Sequence, residues 1–324
     1  GFHINGLYTP TGLGLTWVEL ATEWLEASKD PARQKTFVNL RLGEVVADPN
    51  EKLDADDLAS RAASYQPRTI PAGCLILACG VDVQKDRFAI LILGFGRGGQ
   101  QWVVDYVELP ADPTTEAAWQ MLDDHLNQPI HNSRGLPMKL SMVAVDSGYL
   151  TDHVLAYTRM RRGRVIAVKG ASTPGKPIIN KPSKPDVTVR GKTIKHGAEG
   201  WLVGGDTAKH EIFALLSADG KRAHDHERMI HFPEALDASF YSQLTAEVWD
   251  PNKRKWTKIR PRNESLDTWC YALAAAHHPS LRIHLMKEPQ WARLEAAFEP
   301  HTQDLFSAAP ATPQKTEPPA TQPV

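Results

Sequence analysis

The chain has 324 residues, of which 42% are hydrophobic and 23% are charged, and its formal net charge is −1. This composition is typical of a globular protein with one large domain or two ordinary ones, and it excludes nucleic-acid binding driven by a global excess of positive charge. No stretch reaches the roughly 18 apolar residues of a membrane span, so no membrane partner is expected. The cysteines, Cys74, Cys79 and Cys270, lack metal-ligand spacing and indicate core residues in a reducing compartment.

The first 46 residues predict a helical segment. Thr16 is a candidate N-cap for a helix whose apolar face includes Trp17 and Trp24, and a second helix is expected over 32–42. Residues 47–72 are polar, acidic and proline-containing, which predicts a linker. Because the chain begins with Gly-Phe-His and not with methionine, we interpret it as a piece of a longer protein.

Residues 74–110 predict an antiparallel meander, because only short loops separate successive apolar runs. The first run is apolar on both faces, as in a strand buried on both sides, yet it contains Asp82. Gly94 to Gly99 match the pattern GxGxxG, but a further strand follows, which indicates a hairpin loop and not a dinucleotide site. The three strands are expected over 74–83, 88–94 and 102–109.

Helical and extended patterns alternate after the meander. A helix is expected over 114–127, a strand over 142–145, a helix over 150–160 and a strand over 164–168. The order β-β-β-α-β-α-β predicts an α/β fold with a mixed sheet, in which the antiparallel three-strand meander is joined by parallel strands and helices cover both faces.

Residues 169–198 form a basic, proline-containing insertion that we expect to be mobile or hairpin-like. Within it, GASTPGKP nearly matches a P-loop, but Pro177 replaces the hydroxyl residue and no helix follows, so ATP binding is not expected. Asn263 is a candidate N-cap of the last helix, which should end near residue 278. Between the insertion and the last helix, the sequence predicts five elements. They are a strand over 201–205, a helix over 207–217, a strand over 229–232, a helix over 234–247 and a hairpin over 248–259.

Residues 281–324 are interpreted as a carboxyl-terminal tail. After about residue 299 the tail is rich in proline, threonine, alanine and glutamine, which predicts disorder. His224, His226 and His231 would form a zinc site only if their geometry closed, and a solvated turn is the more ordinary interpretation.

Three separated carboxylates suggest a metal site. Asp82 lies in the first strand, Asp146 ends the fourth, and Asp267 lies one turn into the last helix on the same face as Glu264. If the two strands are adjacent and the helix crosses them, the three acids converge. Negative charges at such short distances need cations between them. Two Mg²⁺ or Mn²⁺ ions would then suit phosphodiester cleavage. Taken singly, Asp82 could instead pair with Lys85, and Asp267 could stabilise a helix terminus.

The strand order and the positions of these acids resemble the RNase H-like nuclease fold. More narrowly, residues 1–280 resemble the carboxyl-terminal half of lambda-type phage terminase large subunits. The resemblance implies an RNase H-like nuclease domain over 73–280 that cuts concatemeric double-stranded DNA, preceded over 1–46 by the end of an ATPase motor. The stretches that carry it are GFHINGLYTP, TWVELATEWLEA, KTFVNLRLGE, GVDVQKDR, AVDSGY, VKG, GGDTAK, IHFP, YSQLTAE and NESLDTWCYALAA.

The resemblance also implies roles and partners. Asp82, Asp146 and Asp267 would be the catalytic acids that hold two divalent cations, with Glu264 as a possible supporting residue behind them. The implied partners are the ATPase motor of the same polypeptide, the small terminase subunit and the portal of the procapsid, in the host cytoplasm. The Walker motifs of the family are absent from these 324 residues, so translocation by this chain alone is not expected.

Clustered basic residues are candidates for binding DNA, and such binding should weaken steeply with salt. A run of charge is ordinarily a solvated face, and no base-reading element is evident, so little sequence preference is expected. Two alternatives remain open: a resolvase- or transposase-like nuclease of the same fold, and a non-catalytic module that clamps DNA or docks on the capsid. The candidate DNA-binding residues are Arg161, Arg162, Lys169, Lys176, Lys253, Arg254 and Lys255.

Overall fold

The computed structural model describes residues 6–8, 14–28, 31–42, 53–189, 192–219 and 228–298. The helices are α1 (Trp17–Ala27), α2 (Pro31–Phe37), α3 (Ala55–Ser60), α4 (Glu116–Asn127), α5 (Thr151–Arg159), α6 (Gly205–Asp219), α7 (Ala238–Leu244), α8 (Glu264–His277) and α9 (Glu288–Ala297). The strands are β1 (Ala62–Ala63), β2 (Thr69–Ile70), β3 (Ile76–Val83), β4 (Arg87–Phe95), β5 (Gln101–Pro110), β6 (Ile130–Asn132), β7 (Pro137–Met138), β8 (Met142–Asp146), β9 (Val165–Gly170), β10 (Val187–Val189), β11 (Lys192–Ile194), β12 (Gly200–Val203), β13 (Ile230–Pro233), β14 (Glu247–Asp250) and β15 (Lys255–Lys258).

One large mixed sheet organises the chain, with strand order β1-β13-β5-β4-β3-β8-β9-β12. Strands β3, β4 and β5 form the predicted antiparallel meander, and β8, β9 and β12 continue from β3 in parallel. The central order β5-β4-β3-β8-β9 is that of an RNase H-like fold. The predicted fold class is therefore confirmed.

Helices cover both faces of this sheet. On one face, Leu122 of α4 and Val154 of α5 pack with Val81 and Val145. On the other, Trp269 of α8 packs with side chains from α6, α7 and α9. The period-two alternation within β3 and β8 separates the two cores, since successive side chains of a strand point to opposite faces. No described helix is both long enough and apolar enough to cross a bilayer.

The amino-terminal helices agree with the sequence. Thr16 caps α1 and forms a reciprocal capping box with Glu19, because each side chain accepts a hydrogen bond from the other's backbone. The second predicted helix is found as α2 followed by a π-helical turn over Val38–Leu42.

Residues 55–70 differ from the predicted linker, because they are folded onto the domain. Leu58 of α3 and Ile70 of β2 are fully buried, and β1 pairs in parallel with β13 at the edge of the large sheet. The polar composition suggested a linker, but a few widely spaced apolar side chains are enough to attach this segment. Residues 43–52 lie outside the described residues.

The region after residue 280 also differs from the expected tail. A turn over Ile283–Leu285 leads into α9, where Trp291 is 6% exposed and belongs to the core under α8. The surrounding sequence is polar, which suggested a tail, although Trp291, Leu294 and Phe298 have the spacing of one helix face and pack on this core. The folded unit therefore reaches at least residue 297, and the predicted disorder after 299 concerns residues outside the described ranges.

Replacing Trp291 with alanine should lower the free energy of unfolding by about 3–5 kcal/mol, the usual loss for a buried aromatic side chain. Urea denaturation would measure it. Leu285→Ala, at a side chain that is 58% exposed, is the matched control and should change stability little. Equal, small losses in both variants would contradict the packing of α9 on the core.

His277 makes the carboxyl-terminal end of α8 sensitive to acid. Its ring stacks on that of His284 with 3.9 Å between centroids, and burial, followed by the charges of His284 and Arg228, lowers the pKa of His277 from 6.5 to about 3. Between these pH values the unfolded chain binds a proton that the folded protein excludes. Stability should therefore fall as the pH drops from about 6.5 toward 3.

Unfolding free energies measured from pH 7 to pH 4 would show this loss. His277→Gln should flatten the pH dependence, whereas His153→Gln, at an exposed histidine, should leave it unchanged. An equal slope in the parent and in His277→Gln would contradict the assignment.

Three further predictions from the sequence concern a loop, a helix and a hairpin, and the structure can be compared with each. Arg97–Gly99 forms a turn between β4 and β5 with Gly98 at φ 63° and Gly99 at φ 72°, which confirms the hairpin interpretation of the glycine run. The helix expected over 234–247 is shorter, because Asp237 caps α7 and the chain turns into β14 at Glu247. Strands β14 and β15 form the hairpin predicted over 248–259.

The basic insertion contains a hairpin made of β10 and β11, and residues 190–191 at its turn lie outside the described ranges. His224 and His226 also lie outside them. His231 is described: its Nε2 lies 2.6 Å from Gln100 Oε1, and its ring stacks on Trp102.

Candidate functional site

Helix α8 lies directly across β3. A Cβ atom on Gly80 would stand 2.0 Å from the carbonyl oxygen of Thr268 and 2.7 Å from the backbone nitrogen of Ala272. The helix can approach this closely only because residue 80 has no side chain. Asp82 follows Gly80 on the same face of the strand, and Asp267 immediately precedes Thr268, so this contact brings the two acids together.

Asp146 joins them from the neighbouring strand. Val81 of β3 is paired with Val145 of β8 in parallel, so the next residues, Asp82 and Asp146, lie side by side at the carboxyl ends of adjacent strands. Ala144 belongs to the core under α8, which places Asp146 two residues later on that same face. Two strands and one helix thus bring together the three acids predicted from the sequence.

The carboxylates of Asp82 and Asp146 are buried, with 6% and 9% exposure. Burial, then the charges of Asp267 and Asp146, raise the pKa of Asp82 to about 7, while Gln84 Nε2 donates a hydrogen bond to Asp82 Oδ2. Burial also raises the pKa of Asp146, although Gly148 N–H donates to its Oδ2 over 3.1 Å. The charge of Asp267 thus raises the pKa of both Asp82 and Asp146, as expected of carboxylates that lie near one another.

Asp267 differs from the other two because a lysine is one of its partners. Lys209 Nζ lies 3.3 Å from Oδ1, and Asn263 Nδ2 donates to Oδ2 over 2.8 Å. Burial raises the pKa of Asp267, and Lys209 opposes that shift. Asn263 occupies the predicted N-cap position of α8, but its side chain makes no capping bond and instead links Asp267 to Glu247.

Glu264 is buried one turn before Asp267 and is held by two guanidinium groups. Arg87 Nη2 donates to Glu264 Oε1 over 2.7 Å, and Arg262 Nε donates to Oε2 over 3.1 Å. Its charge still contributes to the raised pKa of Asp82. This position fits a residue that supports the three acids from behind, because both of its oxygens are already engaged.

Sequence reasoning missed Lys209, Glu247 and Tyr271. Tyr271 lies one turn after Asp267, and its side chain lowers the pKa of Asp146. The spacing of four residues from Asp267 was a usable signal, since both side chains fall on one helix face. Lys209, which lies in α6, and Glu247, which begins β14, gave no comparable signal because their meeting depends on tertiary packing.

The donor set fits a hard divalent cation. Within the described ranges, neither Asp82 nor Asp146 forms an ion pair with a lysine, arginine or histidine, so their buried charges lack compensation. Carboxylate oxygens are the ligands that Mg²⁺ and Mn²⁺ prefer. Among the residues described, however, no three His, Cys, Asp or Glu side chains already surround a common point. Lys209 and Asn263 hold Asp267 in this conformation.

The candidate DNA-binding residues divide into two groups. Arg161 lies on the sheet face opposite α8, where its Nε is 2.6 Å from Asp123 and its guanidinium stacks on Tyr157, while Arg162 donates to the carbonyl of Gly197. These two arginines have structural partners. The remaining candidates are exposed, namely Lys169, Lys176, Lys253, Arg254 and Lys255.

The β14–β15 hairpin connects its basic residues to the acids. It begins at Glu247, which contacts Lys209 and Asn263. Near its other end, the positive charge of Lys258 acts on Asp267 and lowers its pKa, which makes Lys258 a further basic residue near the acids. Lys169 follows Val168, the register partner of Asp146, at the exposed end of β9.

Comparison with known proteins gives a consistent result. A family model described as the endonuclease domain of terminase large subunit gpA matches residues 1–291. The terminase large subunit of Escherichia phage lambda is 31% identical over 287 residues, and that of Enterobacteria phage P21 is 32% identical over 289 residues. Each match covers 85% of this chain and 43% of the relative, so the chain spans less than half the length of these relatives.

Solved structures with detectable similarity include two large terminase nucleases. The nuclease of thermophilic phage G20c is 12% identical, with a TM-score of 0.33 over 61% of this chain and 81% of its own. The g2p nuclease domain of bacteriophage SPP1, solved with bound Mn, is 11% identical, with a TM-score of 0.31 over 65% of this chain and 98% of its own. The fold assignment rests on the strand order of the sheet and not on these scores.

Proposed function

Because this chain belongs to the family of terminase large subunit endonuclease domains, we propose that it is a divalent-cation-dependent endonuclease that cuts concatemeric double-stranded DNA during phage genome packaging. The observation that carries the proposal is the convergence of three carboxylates from β3, β8 and α8, of which those of Asp82 and Asp146 are buried. Two of them, Asp82 and Asp146, lack a cationic partner within the described ranges. Such a cluster is costly to a folded protein unless it serves to bind cations.

Asp82, Asp146 and Asp267 would hold two Mg²⁺ or Mn²⁺ ions. When bound, such ions activate water and stabilise the leaving oxygen of a phosphodiester. The chain itself positions the ligands: Gln84 orients Asp82, Gly148 orients Asp146, and Asn263 orients Asp267. Partners of this kind tune metal ligands, and their loss commonly costs 10–100-fold in affinity or activity.

The basic β14–β15 hairpin would hold the DNA backbone next to the acids. Lys253, Lys255 and Lys258 are exposed along it, and its first residue contacts the network around Asp267. Contacts to phosphates position a duplex without reading its sequence, so cutting by this domain should show little base preference. Binding should weaken as the salt concentration rises, since each neutralised phosphate releases counterions.

The remaining parts of the proposal concern the longer protein. Residues 1–46 would be the end of an ATPase motor that belongs to the same polypeptide, and the nuclease domain would begin within the segment that contains α3 and end with α9. The small terminase subunit and the portal of the procapsid would be further partners in the host cytoplasm. These assignments follow from the family and from the greater length of the relatives.

Incubation of the purified chain with supercoiled plasmid tests the central claim. Cleavage is expected with Mn²⁺ or Mg²⁺ and should stop when EDTA is added. Asp146→Asn and Asp267→Asn should each lose cleavage, whereas Asp124→Asn, at an exposed acid on α4, should cut like the parent. Binding without cutting by the parent would favour a DNA-clamping module. Strong preference for a four-way junction over linear duplex would favour a resolvase-like role.

A further inference from the structure

An ion pair outside the predicted acids joins α6 to the base of the β14–β15 hairpin. Lys209 Nζ lies 2.8 Å from Glu247 Oε1, and the two side chains are 14% and 7% exposed. The same ammonium group lies 3.3 Å from Asp267 Oδ1. A single lysine therefore serves two carboxylates, one of which belongs to the proposed cation site.

The two contacts of Lys209 are unequal. Its shorter contact is with Glu247, and Asn263 Nδ2 donates to the same glutamate oxygen over 2.6 Å. Glu247 is thus fixed by two donors and would retain Lys209 if Asp267 changed partner. The longer contact leaves Asp267 as the carboxylate that can exchange the ammonium group for another cation.

The chain already contains a positive charge where the proposed function requires a cation. Extending the proposed function, we propose that Lys209 is a positioning residue that acts as a built-in counter-cation: it competes with a divalent ion for Asp267 and lowers the affinity of the site for that ion. In the cation-free protein, Lys209 compensates the charges of Asp267 and Glu247. When an ion binds, Asp267 turns to it and Lys209 remains with Glu247.

Electrostatics fixes the direction of the effect. An ammonium group within a few ångströms of a carboxylate repels a divalent ion bound by that carboxylate, and the low dielectric constant of a buried site strengthens the repulsion. If Lys209 served only to orient Asp267, its removal would weaken cation binding. The two roles therefore predict changes of opposite sign in the dissociation constant.

Isothermal titration calorimetry with Mn²⁺ distinguishes these roles without any measurement of cleavage. Lys209→Met should bind Mn²⁺ at least about tenfold more tightly than the parent. Lys209→Arg, which keeps the charge, should not bind more tightly. Lys139→Met removes an exposed lysine that lies before β8, at the strand end opposite Asp146, and should bind like the parent. Unchanged or weaker binding by folded Lys209→Met would overturn the proposal.

A second variant covers the case in which Lys209→Met does not fold. The double variant Lys209→Met with Glu247→Gln removes both charges of the ion pair together, so no unpaired charge is left behind. Such replacements of a whole ion pair are often tolerated. It should bind Mn²⁺ at least as tightly as the parent, and weaker binding would overturn the proposal. Absence of Mn²⁺ binding by the parent would instead overturn the proposed function on which this inference rests.

Discussion

Replacing Asp82 with asparagine is expected to abolish DNA cleavage and, at the same time, to stabilise the cation-free protein. Loss of cleavage should be at least about a hundredfold, because even residues that merely orient metal ligands commonly contribute 10–100-fold. Stability should rise because asparagine keeps the acceptor for Gln84 and removes a buried charge that faces Asp267 and Asp146. Few substitutions in a core have this combination of effects, so the pair of measurements is specific.

The direction of the stability change follows from the pKa of Asp82, which is raised from 3.8 to about 7. The folded protein favours the protonated carboxyl of Asp82. The contribution of this carboxyl to the free energy of unfolding is therefore fully present below about pH 3.8, and it is lost as the pH rises through 7. At pH 8 in EDTA, Asp82→Asn should therefore gain about 1–4 kcal/mol in unfolding free energy. Asp124→Asn is the control for both measurements. Undiminished cutting by Asp82→Asn would refute the site.

The substitution Gly80→Ala is expected to have the second large effect, because it acts on the contact that assembles the site. The new Cβ atom would stand 2.0 Å from the carbonyl oxygen of Thr268, and backbone on both sides leaves no flexible side chain to move aside. Helix α8 must then shift away from β3, which separates Asp267 from Asp82. Unfolding free energy should fall by roughly 3 kcal/mol or more, and Mn²⁺ binding should weaken in the variant that remains folded.

Gly170→Ala is the matched control for this substitution. Gly170 also lies in a strand of the large sheet, but a Cβ atom there meets nothing within 4 Å. Guanidinium denaturation of the two variants should give a large loss for Gly80→Ala and a change within about 0.5 kcal/mol for Gly170→Ala. Similar stabilities would mean that the close approach of α8 to β3 is not what holds the acids together.

The sheet and the three acids could be predicted because their signals are local. The apolar run around Asp82 and the short loops after it determine the meander, and the alternation of strands and helices determines the parallel part. Proximity of Asp82 and Asp146 was conditional on the first and fourth strands being neighbours, and the pairing of β3 with β8 meets that condition. The crossing of the last helix was a second condition, and the close approach of α8 to Gly80 meets it.

Other features could not be predicted because they depend on contacts between distant segments. Glu247 and Lys209 are ordinary polar residues in the sequence, and they become a buried ion pair only when the hairpin packs against α6. The segments that contain Leu58 and Trp291 were interpreted as a linker and a tail from their polar composition, although Trp291, Leu294 and Phe298 have the spacing of one helix face. Arg161 looked like part of a DNA-binding run, whereas it is paired with Asp123.

The edge of the large sheet has a consequence for how the chain folds during synthesis. Strand β1 completes this edge only by pairing with β13, and β13 itself adds to β5, so segments from opposite ends of the domain must meet there. Closing so long a loop costs conformational entropy before the strand pairing contributes any favourable free energy. Pairings of this kind therefore form late in folding. Until β13 leaves the ribosome, the edge of β5 stays unpaired and open to other strands. The nascent protein is therefore expected to complete its meander early and to close this edge last.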